Sequence, residues 1–199
     1  MNRAAVRPPA TLPVLETALL RLRDHRADDL DAMRLVWGDA VGMRYLSTGV
    51  MDDTRIRCRL DEAVATAAEV PRRHYQLAAC LQGDDRPVGG IRLDVEDDTT
   101  GYSGLFTMAR HLRGSGCAPA IGWLMLKLAF AELGLTRVWS LAYLENADAV
   151  RAITRLGFTP AGETERYCPD AGRTMRMAVM EMTADTWSAM PVLASAGTA

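Results

Sequence analysis

Residues 113–118, with the sequence Arg-Gly-Ser-Gly-Cys-Ala, separate two segments of different periodicity. Residues 102–109 have the pattern of a strand, whereas residues 116–133 are strongly apolar and end at a glycine, as a buried helix does. A further strand pattern at residues 137–143 completes a strand–helix–strand unit, which joins parallel strands. The chain is therefore expected to contain one parallel strand pair with a glycine-rich turn at the start of the crossover helix.

The rest of the chain predicts a mixed α/β sheet. Further strand patterns occur at residues 20–23, 75–81, 87–95, 158–167 and 174–182, and further helical spacing at residues 27–37, 53–69 and 146–156. Short polar turns between the central strands favour hairpins, so most of the pairing is expected to be antiparallel. We predict a single domain over residues 15–185, with loose terminal arms at residues 1–14 and 186–199.

Composition and charge argue against several function classes. The 199 residues are 49% apolar and carry a formal net charge of −2, which disfavours both a disordered chain and a broad nucleic-acid binder. The four cysteines and three histidines lack metal-ligand spacing, so no metal site is expected, and reduced thiols in a cytoplasmic protein are favoured. The longest apolar stretch, residues 120–131, is too short to cross a bilayer, so no membrane partner is expected.

The glycine-rich segment has two interpretations. Its glycines can turn backbone N–H groups outward beside a helix N-terminus, which suits a diphosphate, and Arg113 adds a cation. A plain strand-to-helix turn would use the same residues, and the segment alone does not separate the two. The dinucleotide fingerprint fails because Pro119 stands where a third glycine or an alanine is needed. A P-loop fails because the chain contains no Lys-Ser or Lys-Thr pair.

Several motifs together resemble the GNAT superfamily of acyl-CoA N-acetyltransferases, most closely the subgroup that acetylates ribosomal-protein N-termini. The motifs are Q/R-x-x-G-x-G/A at Arg113, Gly116 and Ala118, A-F-x-E-L-G-L-x-R-V at residues 129–138, E-N-x-x-A/S at residues 145–149 and L-G-F at residues 156–158. The resemblance covers roughly residues 16–182. It implies an α+β fold with a central, mostly antiparallel, twisted sheet of about seven strands. One parallel pair would be splayed, and about four helices would cover both faces.

The same resemblance implies acetyl-CoA (coenzyme A) as the cofactor, with its pantetheine arm between the two parallel strands. Backbone groups of Thr107, Met108 and Ala109 would face pantetheine and the thioester carbonyl, and an N–H there would act as an oxyanion donor. Asn146 would reach pantetheine from its helix start, and it can serve as an N-cap as well. Six consecutive residues would hold the diphosphate: Arg113, Gly114, Ser115, Gly116, Cys117 and Ala118.

The chain departs from the family where relatives carry the acid and the base. Many relatives have a carboxylate about ten residues before the loop arginine, where this chain has Ser103, and a tyrosine before the final G-F, where residues 152–155 read Ala-Ile-Thr-Arg. Ser103 and Glu96 are the catalytic candidates, with Asp94 as an alternative acting through water. The alternative interpretation is that Asp94 and Glu96 are solvent-exposed acids at the end of a hairpin, without a catalytic role. Because a free α-amine, with a pKa of about 7.7–8.0, needs less help from a base than lysine does, we hypothesise a weakly basic acceptor.

These features predict an N-acetyltransferase that moves an acetyl group from acetyl-CoA to a primary amine by direct attack in a ternary complex. The acceptor would be a small-molecule or peptide amine. Its candidate binding residues are Arg44, Tyr45, Tyr167 and Arg176, although a solvated arginine surface would look the same. Two alternatives stay open: a CoA-binding GNAT-like module without transfer activity, and a transferase that uses a longer acyl-CoA. The oligomeric state, a homodimer included, is also left open.

Overall fold

The computed structural model, which describes residues 11–46, 48–168 and 172–190, is built around one eight-stranded sheet. The strands are β1 (Leu15–Glu16), β2 (Leu20–Asp24), β3 (His74–Leu81), β4 (Pro87–Val95), β5 (Thr100–Met108), β6 (Arg137–Tyr143), β7 (Thr159–Cys168) and β8 (Arg173–Thr183). Their order is β1-β2-β3-β4-β5-β6-β8-β7. All neighbours are antiparallel except β5 and β6, which are parallel. The predicted mixed sheet with one parallel pair is confirmed.

Six α-helices lie within the described residues: α1 (Leu30–Trp37), α2 (Ala40–Met43), α3 (Asp53–Thr66), α4 (Cys117–Lys127), α5 (Ala147–Arg155) and α6 (Ala184–Ala189). The first three contact β3, β4 and β5 on one side of the sheet, the helix-α1 face. Helix α4 contacts β1, β2 and β4 on the other side, the helix-α4 face, and α5 contacts β6. Both faces of the sheet are thus covered, by more helices than the sequence patterns indicated.

Two apolar clusters hold these layers together. The helix-α4 face carries the larger cluster, to which five strands each contribute a side chain no more than 3% exposed: Leu22, Leu77, Leu93, Val138 and Met180. Burial of each such side chain stabilises the fold by about 1.5–3 kcal/mol. A separate cluster joins α1, α2 and α3 through Met33, Trp37, Met43, Ile56 and Leu60. This second cluster fixes the three helices as one unit over the helix-α1 face.

Strands β5 and β6 pair over four residues only, residues 100–103 with residues 137–140. Beyond that point β5 is bent by a bulge, because residues 105 and 106 together stand opposite the single residue Ile91 of β4. A bulge bends its strand and increases the local twist. It therefore turns β5 away from β6 and leaves a gap between the C-terminal halves of the two strands.

The C-terminal boundary differs from the prediction. Residues 184–189 form α6, so the expected loose arm does not begin at residue 186. The Trp187 ring lies 5.7 Å from the Phe130 ring, and Met190 packs against the larger cluster. Residues 1–10 and 191–199 of the predicted arms lie outside the described residues. None of the helices within the described ranges is long and apolar enough to cross a bilayer.

Candidate functional site

The gap between β5 and β6 exposes backbone groups of β5. The Ala109 N–H donates to the Val88 carbonyl at 2.6 Å, so the N–H of Ala109 is already hydrogen-bonded to β4. Thr107 is paired with Gly90 of β4. Backbone groups of successive strand residues alternate between the two edges, so the N–H and C=O of Met108 are directed into the gap. Of the three residues expected to contact pantetheine, Met108 is the one whose backbone groups remain available.

Residues 113–118 form a loop of free N–H groups before α4, which we call the anion nest. Gly114 and Gly116 have φ angles of +80° and +85°, which favour glycine. The Ser115 N–H and hydroxyl both donate to the carbonyl three residues earlier, at 3.2 and 2.6 Å, and so fold the loop back. Among the described residues, the N–H groups of Gly114, Gly116 and Ala118 have no hydrogen-bond partner. Three free donors at the positive end of a helix favour an anion.

The side chains of three expected cofactor residues, Arg113, Cys117 and Asn146, differ in their surroundings. Arg113 is exposed and has no ion-pair partner within the described part of the chain. Cys117 is only 2% exposed, so its thiol packs in the core and only its backbone borders the nest. Asn146 caps α5, since its Oδ1 accepts from the Ala149 N–H at 3.2 Å, and its amide NH₂ group is left as a donor.

The L-G-F motif holds α5 against α4. Gly157 ends the helix with φ +93°, and Phe158 is 3% exposed. Leu156 packs so closely on α4 that a Cβ added to Gly122 would lie 2.4 Å from Leu156 Cδ1. Because α4 and α5 follow the C-terminal ends of parallel strands, both helices begin at the same edge of the sheet, beside the gap.

The two catalytic candidates do not face the open part of the gap. Ser103 is 8% exposed and its carbonyl accepts from the Ser140 hydroxyl at 2.8 Å. Its register partner is the core residue Leu93, which places the Ser103 side chain on the helix-α4 face. Glu96 lies at the closed end of the strand pair, where its carboxylate accepts from Trp139 Nε1 at 2.7 Å. This placement gives the sequence-based roles of Ser103 and Glu96 no support.

Tyr102 and Asp94 lie opposite each other on the helix-α1 face, one residue further from the opening than Ser103. A Cβ added to Gly104 would lie 2.7 Å from Tyr102 Cε1 and 3.2 Å from its hydroxyl, so the tyrosine ring extends over Gly104. Gly104 is the first residue of β5 beyond its pairing with β6. Burial raises the pKa of the Tyr102 phenol, so the hydroxyl stays protonated at neutral pH. Asp94 accepts from Arg92 Nε at 2.7 Å.

The predicted acceptor residues are scattered over the neighbouring surface. Tyr45 packs beside the Tyr143 cluster of β6 and β8, and the Arg44 guanidinium lies 5.2 Å from the Tyr45 ring centre. Tyr167 is 60% exposed. Arg176 forms an ion pair with Glu163, so its charge is already compensated. The structure thus brings Tyr45 close to the gap and leaves Tyr167 on open surface.

One cation of this face was missed by the sequence analysis. Arg59 on α3 donates from Nη2 to Gln76 Oε1 at 3.3 Å, and its Nε is buried without a partner. Burial, with the nearby charge of Arg92, lowers the pKa of Arg59. The sequence did contain a signal for this position, because Arg59 lies three residues after Ile56 and one before Leu60, both of which are buried. Such spacing places it on the packed side of the helix.

A small cavity under α1 lies beside these residues. Its volume is about 10 Å³, lined by His25, Trp37, Gln76 and Thr107 among others, which is room for one water molecule and not for an acceptor. His25 Nδ1 lies 3.5 Å from an Asp29 oxygen, and Arg23 donates to both oxygens of Asp29 at 2.8 and 2.7 Å. Burial is the largest single influence and opposes ionisation of Asp29, but the hydrogen bonds from Arg23, His25 and the Arg26 backbone together outweigh it and lower the Asp29 pKa.

Comparison with known proteins gives concordant results. Residues 20–159 match the family described as acetyltransferase (GNAT) domain. No curated protein matches the chain. A GCN5-related N-acetyltransferase from Brucella melitensis is 19% identical with a TM-score of 0.77, covering 94% of this chain and 85% of that one. A GNAT-family acetyltransferase from Bacillus anthracis is 18% identical with a TM-score of 0.74, covering 87% and 99%. A spermidine N-acetyltransferase from Vibrio cholerae, in complex with CoA and spermine, is 16% identical with a TM-score of 0.71, covering 85% and 98%.

Proposed function

This chain belongs to the GNAT acetyltransferase family, and we propose that it moves an acetyl group from acetyl-CoA to a primary amine by direct attack in a ternary complex. The observation that carries the proposal is the anion nest beside an open strand edge. A molecule with a diphosphate at one end and an extended thiol arm at the other suits both features. The nest would bind the diphosphate, and the arm would hydrogen-bond to β5 as an added strand does.

The surrounding residues can perform the proton transfers of this reaction. When bound, acetyl-CoA supplies a thioester whose carbonyl carbon bonds to the amine nitrogen while its C–S bond breaks. The Met108 N–H would donate to the carbonyl oxygen as negative charge develops there. Asp94 would accept the proton lost by the nitrogen, through a water molecule, and the Tyr102 phenol would donate a proton to the departing thiolate. Tyr102 and Asp94 thereby replace Ser103 and Glu96 in our proposal.

The acceptor is proposed to be a small-molecule or peptide amine, with an α-amine favoured by its lower pKa. The ribosomal-protein subgroup, the cytoplasmic location and a homodimer stay predictions from the sequence. One similar structure is that of a spermidine N-acetyltransferase. We do not favour a polyamine acceptor here, because it would bring several positive charges close to Arg59 and Arg92.

Two measurements on the purified protein test the proposal. Saturating acetyl-CoA should raise the melting temperature, since a ligand that binds only the folded state stabilises it. Free CoA should then be released only when an amine is added. Binding of acetyl-CoA or of a longer acyl-CoA without release of free CoA, whichever amine is added, would favour the CoA-binding module. Faster release from a longer acyl-CoA would favour the other alternative, and absence of binding would refute the proposal.

A further inference from the structure

Two arginines from different elements converge on one glutamine on the helix-α1 face. Arg59 of α3 donates to Gln76 Oε1 at 3.3 Å. Arg92 is the cross-strand neighbour of the same glutamine in the β3–β4 register. The two guanidinium groups are close enough for the charge of Arg92 to lower the pKa of Arg59, after the larger effect of burial.

This pair carries more hydrogen-bond donors than its surroundings use. Arg59 has no ion pair within the described residues, and its Nε is buried without a partner. Arg92 uses only Nε, on Asp94 at 2.7 Å, so its terminal nitrogens have no partner in the same part of the chain. The carboxylates of Glu62 and Asp94 lie near enough to offset part of the charge of Arg59, but neither forms an ion pair with it. A half-buried cation that forms no ion pair is costly to the fold. An anion between the two arginines would accept several charge-assisted hydrogen bonds from their unused nitrogens.

The position of the pair relates it to the acceptor. Arg92 is the register partner of Gly104, where β5 separates from β6, so it lies about one strand spacing, roughly 5 Å, from the strand that borders the opening. Gln76, which Arg59 contacts, lies on β3, one strand further away. The anion nest opens at the start of α4, on the opposite face of the sheet. Arg173 and Arg176 of β8, by contrast, are already paired with Glu145 and Glu163.

We propose that Arg59 and Arg92 form a subsite for a carboxylate carried by the acceptor amine. The substrate class is then an amino acid or short peptide whose amine enters the gap while its carboxylate binds the arginine pair. This inference rests on the proposed function, because it assigns the carboxylate to the molecule that is acetylated. A planar carboxylate matches the fork geometry of a guanidinium, which explains arginine at both positions.

The test compares Arg59→Gln with Arg57→Gln, a control on the same helix whose exposed guanidinium pairs with Asp53. The acceptors are amino acids and dipeptides, each assayed beside its own carboxamide. The wild type should prefer the acid. Arg59→Gln should lower kcat/KM for the acid by about 10- to 100-fold, while the carboxamide changes by about twofold at most. Arg57→Gln should leave both values unchanged.

A binding measurement separates this inference from the proposed function. Calorimetry of N-acetyl amino acids with the CoA-saturated protein should show tighter binding of acids than of amides, and Arg59→Gln should remove the difference. Arg59→Gln should melt no lower than the wild type, because it removes an unpaired, half-buried charge. Equal use of acids and amides by the wild type, or an equal loss for both in Arg59→Gln, overturns the subsite alone. If no amine is acetylated, the proposed function fails and the calorimetry decides the subsite.

Discussion

Gly114→Ala tests the anion nest, and Gly134→Ala is its matched control. Both glycines have positive φ angles, +80° and +71°, and a Cβ added at either would meet nothing within 4 Å. An alanine held at positive φ costs about 1–2 kcal/mol. For a domain of this size each kcal/mol lowers the melting temperature by about 2–4 °C. Both variants should therefore melt about 2–8 °C below the wild type when no ligand is present.

Ligand should separate the two variants. In Gly114→Ala a partial rotation toward negative φ relieves part of this strain and turns free N–H groups of the nest aside, whereas residue 134 lies at the other end of the helical segment. A lost hydrogen bond to a charged group costs about 1.5–3 kcal/mol, which is roughly 10- to 150-fold in Kd. With CoA at about 100 times the wild-type Kd, the wild type gains about 2.7 kcal/mol, and a variant 100-fold weaker gains about 0.4 kcal/mol.

Differential scanning calorimetry with and without CoA measures this difference directly. Gly134→Ala should show the full ligand-induced rise in melting temperature, and Gly114→Ala should lose most of it. Equal rises in the two variants would refute the role of the nest in binding the diphosphate. A control titration with adenosine, which has no phosphate, should not distinguish the variants.

Further variants test the remaining assignments. Asp29→Asn, which removes one of the two carboxylates that pair with Arg23 and leaves Asp85 as the other, should cost about 1.5–3 kcal/mol in urea denaturation, against less than about 1 kcal/mol for the exposed Asp31→Asn. Because the folded-state pKa of Asp29 is lowered, its stabilisation is present above the unfolded pKa of about 3.9 and is lost as the pH falls below it. A wild-type advantage over Asp29→Asn that stays constant from pH 7 to below pH 3 would contradict this. Tyr102→Phe should lower kcat by about 100-fold or more without changing CoA affinity, and an unchanged kcat would exclude the phenol as the proton donor.

The long elements could be predicted because their periodicity is strong. Strands β4 and β6 have the predicted bounds, and α5 differs by one residue at each end. Strand β1 and helix α2 have two and four residues, too few to show a period. Helix α6 was missed because its stability comes from a tertiary contact, that of Trp187 with Phe130, which no local pattern reveals.

The candidate site was predictable where it is local. The anion nest lies within six consecutive residues, so its glycines could be identified from the sequence. The face occupied by Ser103 depends on its register with Leu93, and the environment of Glu96 depends on Trp139, both set by distant parts of the chain. Arg59 could be placed on the packed side of its helix, but only the folded chain shows that it forms no ion pair within the described residues.

The gap between β5 and β6 exists because β5 has one residue more than β4 at the bulge. Two residues of β5, 105 and 106, occupy the space that one residue would fill opposite Ile91. Removal of either one would restore one-for-one matching with β4 and let β5 run on beside β6. A point substitution at these positions would leave the number of residues unchanged, whereas deletion of a single codon would close the gap. Deletion of one residue from β5 would therefore abolish ligand binding in this fold, even if every side chain that contacts the ligand is preserved.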